Sequence, residues 1–253
     1  MHHNQARLAL SILLAGGIGM SAMPAAAAGI GVVLMHGHGS WSAQFAKIVP
    51  RLEAAGYGVQ APELCWSDKR RYAGTAEECM SDVDDAIAAL HARGYDKIVL
   101  AGHSMGASNA FLYAANHDNL AGLIAWAPNR FVRTFTNTNV MDAQRLVEQG
   151  KGDEIADFGT VTLRATPRAL LSFEGPDVPF NEERLLPGIS VPLFWIGGYD
   201  DVGKRDPTPL FELAQPTPLN ELTILNTNHF NVPDRSIDLA IGWLDRLAAS
   251  LGS

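Results

Sequence analysis

Short continuous apolar runs alternate along this chain with longer stretches whose apolar residues recur at helical spacing. Gly29-Ile-Gly-Val-Val-Leu-Met35 is such a run, apolar throughout and bounded by glycine, the pattern of a strand buried on both faces. Further strands are predicted over Val59–Glu63, where Pro62 suits a strand end, over the residues from Lys97 that lead into Gly102, and over Leu120–Trp126, Val191–Ile196 and Glu221–Leu225. Between them the period changes. A helix is expected over about Ser42–Ala55, kinked or split at Pro50 and ended by Gly56 and Gly58. Thr75 followed by Glu78 forms a capping-box signature ahead of Met80, Val83, Ile87 and Leu90, which lie on one helical face, with Asp82, Asp84 and Asp85 on the other. Ala107–Ala115 is a small-residue helix, and Arg235–Leu251 is a last one with Ile237, Ile241, Leu244, Leu247 and Leu251 on one side. Strands alternating with helices imply a parallel sheet covered on both faces.

Residues 129–189 break this rhythm. They begin polar, turn helical from about Met141 to Phe158, and become irregular and proline-rich near Pro176–Pro187. Some sixty residues without a core strand are too many for an ordinary connection, so the segment reads as a cap-like, partly helical insertion over one edge of the sheet. No internal repeat or linker divides residues 29–253, which read as one domain.

Composition changes this picture little. Hydrophobic residues make up 47% and charged residues 18%, as expected of a chain with a sizeable buried core. A net charge of -8 gives no electrostatic footprint for nucleic acid or an anionic membrane. Residues 1–28 resemble a secretory leader: Arg7 supplies charge, Leu8–Met23 is apolar, and Pro24-Ala-Ala-Ala-Ala28 offers small residues for cleavage. The apolar stretch is short and broken by Gly16-Gly17, so no stable membrane anchor is expected and a periplasmic or secreted location is. In an oxidising compartment Cys65 and Cys79 can bridge across the polar loop between them; two reduced thiols fit the sequence equally.

Chemistry gathers where strands end. In a sheet built by right-handed crossovers all carboxyl ends share one edge, where ligands bind. At those ends lie His36-Gly37-His38-Gly39-Ser40, the pentapeptide Gly102-His103-Ser104-Met105-Gly106, the pair Asp200-Asp201, and His229. A Gly-x-Ser-x-Gly between a strand and a helix makes a turn tight enough to expose a serine hydroxyl, and serine, acid and histidine follow in the order of one hydrolase fold. From these residues the chain resembles the α/β-hydrolase superfamily over roughly residues 30–251. The strand entering His36 starts almost at residue 29, so the resemblance implies a minimal version of that fold: about six mainly parallel strands, without the family's first two antiparallel ones.

The resemblance also implies roles. Ser104 is the nucleophile and His229, in the loop after the last strand, the base; neighbouring His103 is expected to point off the other side of the turn. The orienting acid is Asp200, three residues after Gly197 as in the family's Gly-x-x-Asp-x-Val pattern, or Asp201 if the count starts at Gly198. The oxyanion donors are the backbone amides of Met105 and His38, the latter by likeness of His36-Gly37-His38-Gly39 to the family's His-Gly-x-Gly loop, with His36 as a prop. His36 and His38 lack a third ligand, so no metal and no other cofactor is expected. A serine at the elbow, rather than aspartate or cysteine, points to a carboxylic ester or thioester of a small molecule cleaved through an acyl-enzyme. An acyltransferase with the same three residues, or a noncatalytic binding protein of this fold, are the competing readings. The arginines of Thr162–Phe173 could meet an anionic substrate or face solvent. Acyl and leaving-group specificity and oligomeric state are not encoded legibly.

Overall fold

A computed structural model describes residues 29–128, 138–159, 163–176, 178–202 and 206–252. The leader-like residues 1–28 and the polar start of the insertion, 129–137, lie outside the described residues.

The first apolar run is strand β1 (Ile30–Met35), every residue of it buried. The expected helix after it is split ahead of Pro50, into a 3₁₀ turn over Ser42–Phe45 and helix α1 (Val49–Ala54), with proline tolerated in the first turn where its missing N–H has no partner to lose. Strand β2 (Gly58–Gln60) is short. The Thr75 capping box is made: the Thr75 N–H donates to Glu78 Oε2 at 2.8 Å and the Glu78 N–H to Thr75 Oγ1 at 3.3 Å. Regular helix nevertheless begins only at α2 (Met80–His91), after a looser turn that carries Cys79. Gly94, at φ +86°, closes that helix in the left-handed conformation.

Strand β3 (Lys97–His103), helix α3 (Met105–Asn116) and strand β4 (Gly122–Trp126) follow. The helix expected over Met141–Phe158 is corrected: α4 (Thr138–Glu148) stops near Gly150, and Ala156–Phe158 (β5) pairs antiparallel with Leu163–Ala165 (β6). The sequence there alternates burial along an extended chain, with Phe158 and Ala165 buried and Asp157 and Arg164 exposed and ion-paired at 3.0 Å. Helices α5 (Pro167–Glu174) and α6 (Glu182–Leu185) complete the insertion. Strand β7 (Leu193–Gly198), the helical turn α7 (Tyr199–Val202), α8 (Thr208–Phe211), strand β8 (Glu221–Leu225) and the long α9 (Val232–Leu251) end the chain.

Six strands form one wholly parallel sheet in the order β2-β1-β3-β4-β7-β8. Period-two alternation divides each strand between two cores. Val33, Met35, Leu100, Leu123, Ala125 and Trp195 face α2, α3 and the insertion. Val32, Leu34, Val99, Ile124, Trp126 and Phe194 face α1 and α9. On α9 the buried seam includes Val232, Ala240 and Trp243, and Leu251 ends up exposed. The chain runs outward from β1 to β2, then reverses through β3 to the other edge. The reversal opens a crevice between the ends of β1 and β3, the usual ligand position in such sheets.

Two glycines let α3 sit against that crevice. A methyl group on Gly106 would lie 2.0 Å from the carbonyl oxygen of Met35 and 2.7 Å from that of His36; one on Gly102 would lie 2.4 Å from the backbone of Gly106. No side-chain rotation relieves a clash with backbone. Gly106→Ala is therefore expected to cost about 3 kcal/mol or more of stability, at the upper end of overpacking. Urea unfolding at neutral pH measures it; a loss under about 1 kcal/mol would show that strand and helix can separate cheaply.

Candidate active site

The carboxyl ends of β1, β3, β4, β7 and β8 line up in register, Met35 beside Gly102, His103 beside Trp126, and Gly198 beside Leu225. Residues just past those ends therefore share one edge. Ser104 sits between β3 and α3 at φ 56° and ψ -120°, a left-handed conformation unusual for a residue with a β-carbon. Several hydrogen bonds hold it there. Its N–H donates to the Trp126 carbonyl at 2.9 Å, and its own carbonyl accepts from Ala107 and Ser108 at 3.0 and 3.3 Å. Met105 opens α3, and the first amides of a helix have no intrahelical acceptor, so they are available to a developing anion.

The loop after β1 lies against this turn. A β-carbon built on Gly37 would be 3.3 Å from Ser104 Cβ and 3.2 Å from His103 Nδ1, a tight fit that glycine avoids. The loop is braced from behind: His36 Nδ1–H donates to the Gly37 carbonyl at 3.0 Å, and Trp66 Nε1–H to the His36 carbonyl at 3.0 Å. Burial lowers the pKa of His36, which keeps its ring neutral and suits a structural part. The His38 imidazole turns to Glu174, at the end of α5, with Nε2 and Oε1 3.2 Å apart.

The loop after β8 comes back over β7, where Gly198 leaves room for the backbone of Thr227 and Asn228. Asn228 Oδ1 accepts from the Asn231 N–H at 3.1 Å and caps a 3₁₀ turn that begins with His229. His229 Nδ1–H donates to Asp201 Oδ1 at 3.0 Å. A carboxylate only accepts, so this bond puts the proton of a neutral imidazole on Nδ1 and leaves Nε2 with a lone pair. Of the two candidate acids, the structure brings Asp201, the second choice from the sequence, to His229, while Asp200, the first choice, is exposed and makes no such contact. The cause is local. Strand β7 continues through both glycines and a helical turn starts at Tyr199, so the two acids project in different directions and the second faces β8.

His103 is buried beside this pair, its ring centroid 4.9 Å from that of His229, and its Nε2–H donates to the His229 carbonyl at 3.0 Å. Its Nδ1 meets the Gln44 side-chain amide at 2.6 Å, and Gln44 Oε1 accepts from the Gly37 N–H at 2.9 Å. Burial, only partly offset by the bond to the His229 carbonyl, pushes the His103 pKa from 6.5 down to about 4. The unfolded chain thus binds this proton first as pH falls. Stability is intact above pH 6.5 and declines between about 6.5 and 4, by about 3 kcal/mol from this group. Urea midpoints across that interval should fall less steeply for His103→Gln than for the unaltered protein. Equal slopes would assign the acid sensitivity to other groups.

Cys65 and Cys79 are joined in a disulfide, with Cα atoms 5.5 Å apart, closing the loop that carries Trp66 and Tyr72. Arg164 and Arg168, considered for an anionic substrate, pair instead with Asp157 and Asp153, at 3.0 and 2.9 Å. Gln44 and Glu174 were not singled out from the sequence. Neither stands in a motif, and each gains its contacts only when distant segments meet.

A family model described as serine aminopeptidase, S33 matches residues 28–153, a span that includes the elbow and ends before Asp201 and His229. A pyrethroid hydrolase of Sphingobium wenxiniae is 28% identical over 199 residues, 68% of this chain and 71% of that one. Among solved structures, a study of the metagenome-derived lipolytic enzymes LipS and LipT gives a TM-score of 0.65 at 17% identity, covering 87% of this chain and 95% of the other. A thermostable carboxyl esterase from Bacillus coagulans gives 0.65 at 18% identity, covering 87% and 90%. With its wholly parallel six-stranded sheet and its helix-backed Gly-x-Ser-x-Gly turn, the chain has the fold of the α/β-hydrolases and is similar in structure to esterases and lipases built on it.

Proposed function

We propose that the protein is a serine hydrolase that cleaves a carboxylic ester or thioester through an acyl-enzyme. The observation that carries this reading is the bond from His229 Nδ1 to Asp201, which leaves Nε2 of a neutral imidazole with a lone pair at the same sheet edge as Ser104. In the proposed reaction Nε2 takes the Ser104 proton as Oγ attacks the acyl carbon. Asp201 stabilises the imidazolium that results. The amides of Met105 and His38 meet the oxyanion, a contact worth about 3 kcal/mol per donor. Collapse of the tetrahedral intermediate expels the alcohol or thiol, which takes the proton from His229. Water, deprotonated by the same nitrogen, then releases the acid and restores Ser104.

Exposed aromatic residues near the same edge, Tyr199 and Phe230, favour an apolar acyl or alcohol group. Pyrethroids belong in the substrate panel because of the 28% identical relative, alongside short- to long-chain acyl esters and thioesters. A fluorophosphonate tests the reading directly. We expect stoichiometric labelling with the adduct on the peptide that contains Ser104. Intact, folded protein that stays unlabelled would sink the proposal. Turnover that transfers acyl groups to added alcohols in preference to water would convert it to an acyltransferase.

A further inference from the structure

Three hydrogen bonds run in series between segments far apart in sequence: Gly37 N–H to Gln44 Oε1 at 2.9 Å, Gln44 Nε2 to His103 Nδ1 at 2.6 Å, and His103 Nε2 to the His229 carbonyl at 3.0 Å. Their directions are forced. Gly37 offers a donor, so Gln44 must turn its oxygen toward Gly37 and its amino group toward His103. An amino group only donates, so His103 Nδ1 must be the bare nitrogen. The ring proton is then on Nε2, where the His229 carbonyl accepts it. Reversing any one link sets donor against donor or acceptor against acceptor.

We propose that Gln44 and His103 are positioning residues, a strut that holds the oxyanion loop and the base loop in register on either side of the nucleophile. This rests on the serine-hydrolase reading above. The strut is anchored at residue 103, next to Ser104, and reaches Gly37, next to the proposed donor His38, on one side. On the other it grips the backbone of the base itself rather than its ring, leaving the imidazole free to gain and lose a proton. A neutral His103 also matters, because a second cation 4.9 Å from the His229 ring would oppose the charge that ring must acquire. The histidine inside the pentapeptide thereby acquires a part that is neither nucleophile nor base.

Gln44→Leu keeps the approximate volume and removes both bonds. Gln44→Glu keeps an acceptor for Gly37 and lets a protonated His103 complete the strut through its Nδ1–H, the carboxylate cancelling the imidazolium charge so that the pair stays neutral beside His229. The leucine variant should lose about tenfold to a hundredfold in kcat, with KM within about threefold, since donors that are displaced rather than lost cost less than the ~10²–10³ of a deleted oxyanion donor. The glutamate variant should recover part of that loss. In the unaltered protein, long-range ¹H–¹⁵N spectra should show His103 protonated at Nε2 and bare at Nδ1. A leucine variant with kcat within about threefold of the parent, equal losses in both variants, or the opposite tautomer would each overturn the strut. If the leucine variant does not fold, the tautomer decides. If no ester is turned over and Ser104 takes no fluorophosphonate, the hydrolase reading fails by itself. The strut is then judged by the tautomer and by amide exchange at Gly37, which should quicken in Gln44→Leu and not in Gln44→Glu if the bond is real.

Discussion

Ser104→Ala should lower ester turnover by about 10⁶-fold, the loss met when the nucleophile of a serine hydrolase is removed. The fold should survive. Alanine has the β-carbon that serine has, so the left-handed backbone at φ 56° is no more strained after the change, and the hydrogen bonds that hold the turn are made by the backbone of residue 104. Unfolding midpoints of the two proteins should agree within about 0.5 kcal/mol. What remains should be weak catalysis by binding and by the oxyanion donors, still above the rate in water. Active-site titration with a chromogenic ester that gives a burst is the measurement, since it counts acyl-enzyme directly. An alanine variant that still gives a burst would place the nucleophile elsewhere.

Asp201→Asn should lower kcat by about 10⁴-fold, while Asp200→Asn stays within about threefold of the parent. Asparagine at 201 fits the same space but can turn an amino group toward His229 Nδ1. That favours the tautomer with the proton on Nε2, and a protonated Nε2 cannot accept the proton of Ser104. The acid acts on His229 at 3.0 Å and on nothing else in the reaction, so the defect should appear in kcat with KM little changed. Asp200 is exposed, and its neutralisation alters only a solvent-screened charge that makes no contact with His229. Equal losses in the two variants would sink the assignment of a single acid.

Much of the framework was readable before any coordinates. The capping box at Thr75 and Glu78, the stripe Met80-Val83-Ile87-Leu90, and the apolar strands are local patterns, and local patterns survive because neighbours in sequence stay neighbours in space. Where reading failed, a local signal was ambiguous. Residues 149–158 contain apolar positions that fit a helix or an extended chain, and pairing of Ala156–Phe158 with Leu163–Ala165 decided for the hairpin. The choice between Asp200 and Asp201 turned on which glycine ends the strand. That depends on how far β7 pairs with β8, and the pairing runs to Gly198 and Leu225.

By itself the amino-acid sequence determined the class of sheet, the strand-turn-helix around Ser104, and the order of the groups along the chain. Each of these follows from residue type and spacing: continuous apolar strands, glycines at 102 and 106, and a serine between them. Only the tertiary structure decided which acid meets His229, that His103 braces the site through its neutral ring, and that Gln44 joins two loops. Those partners lie 28, 126 and 59 residues apart, and no periodicity links positions so distant. Hydrogen-bond direction is a property of pairs, and the pairs exist only once the sheet has brought its strand ends to one edge.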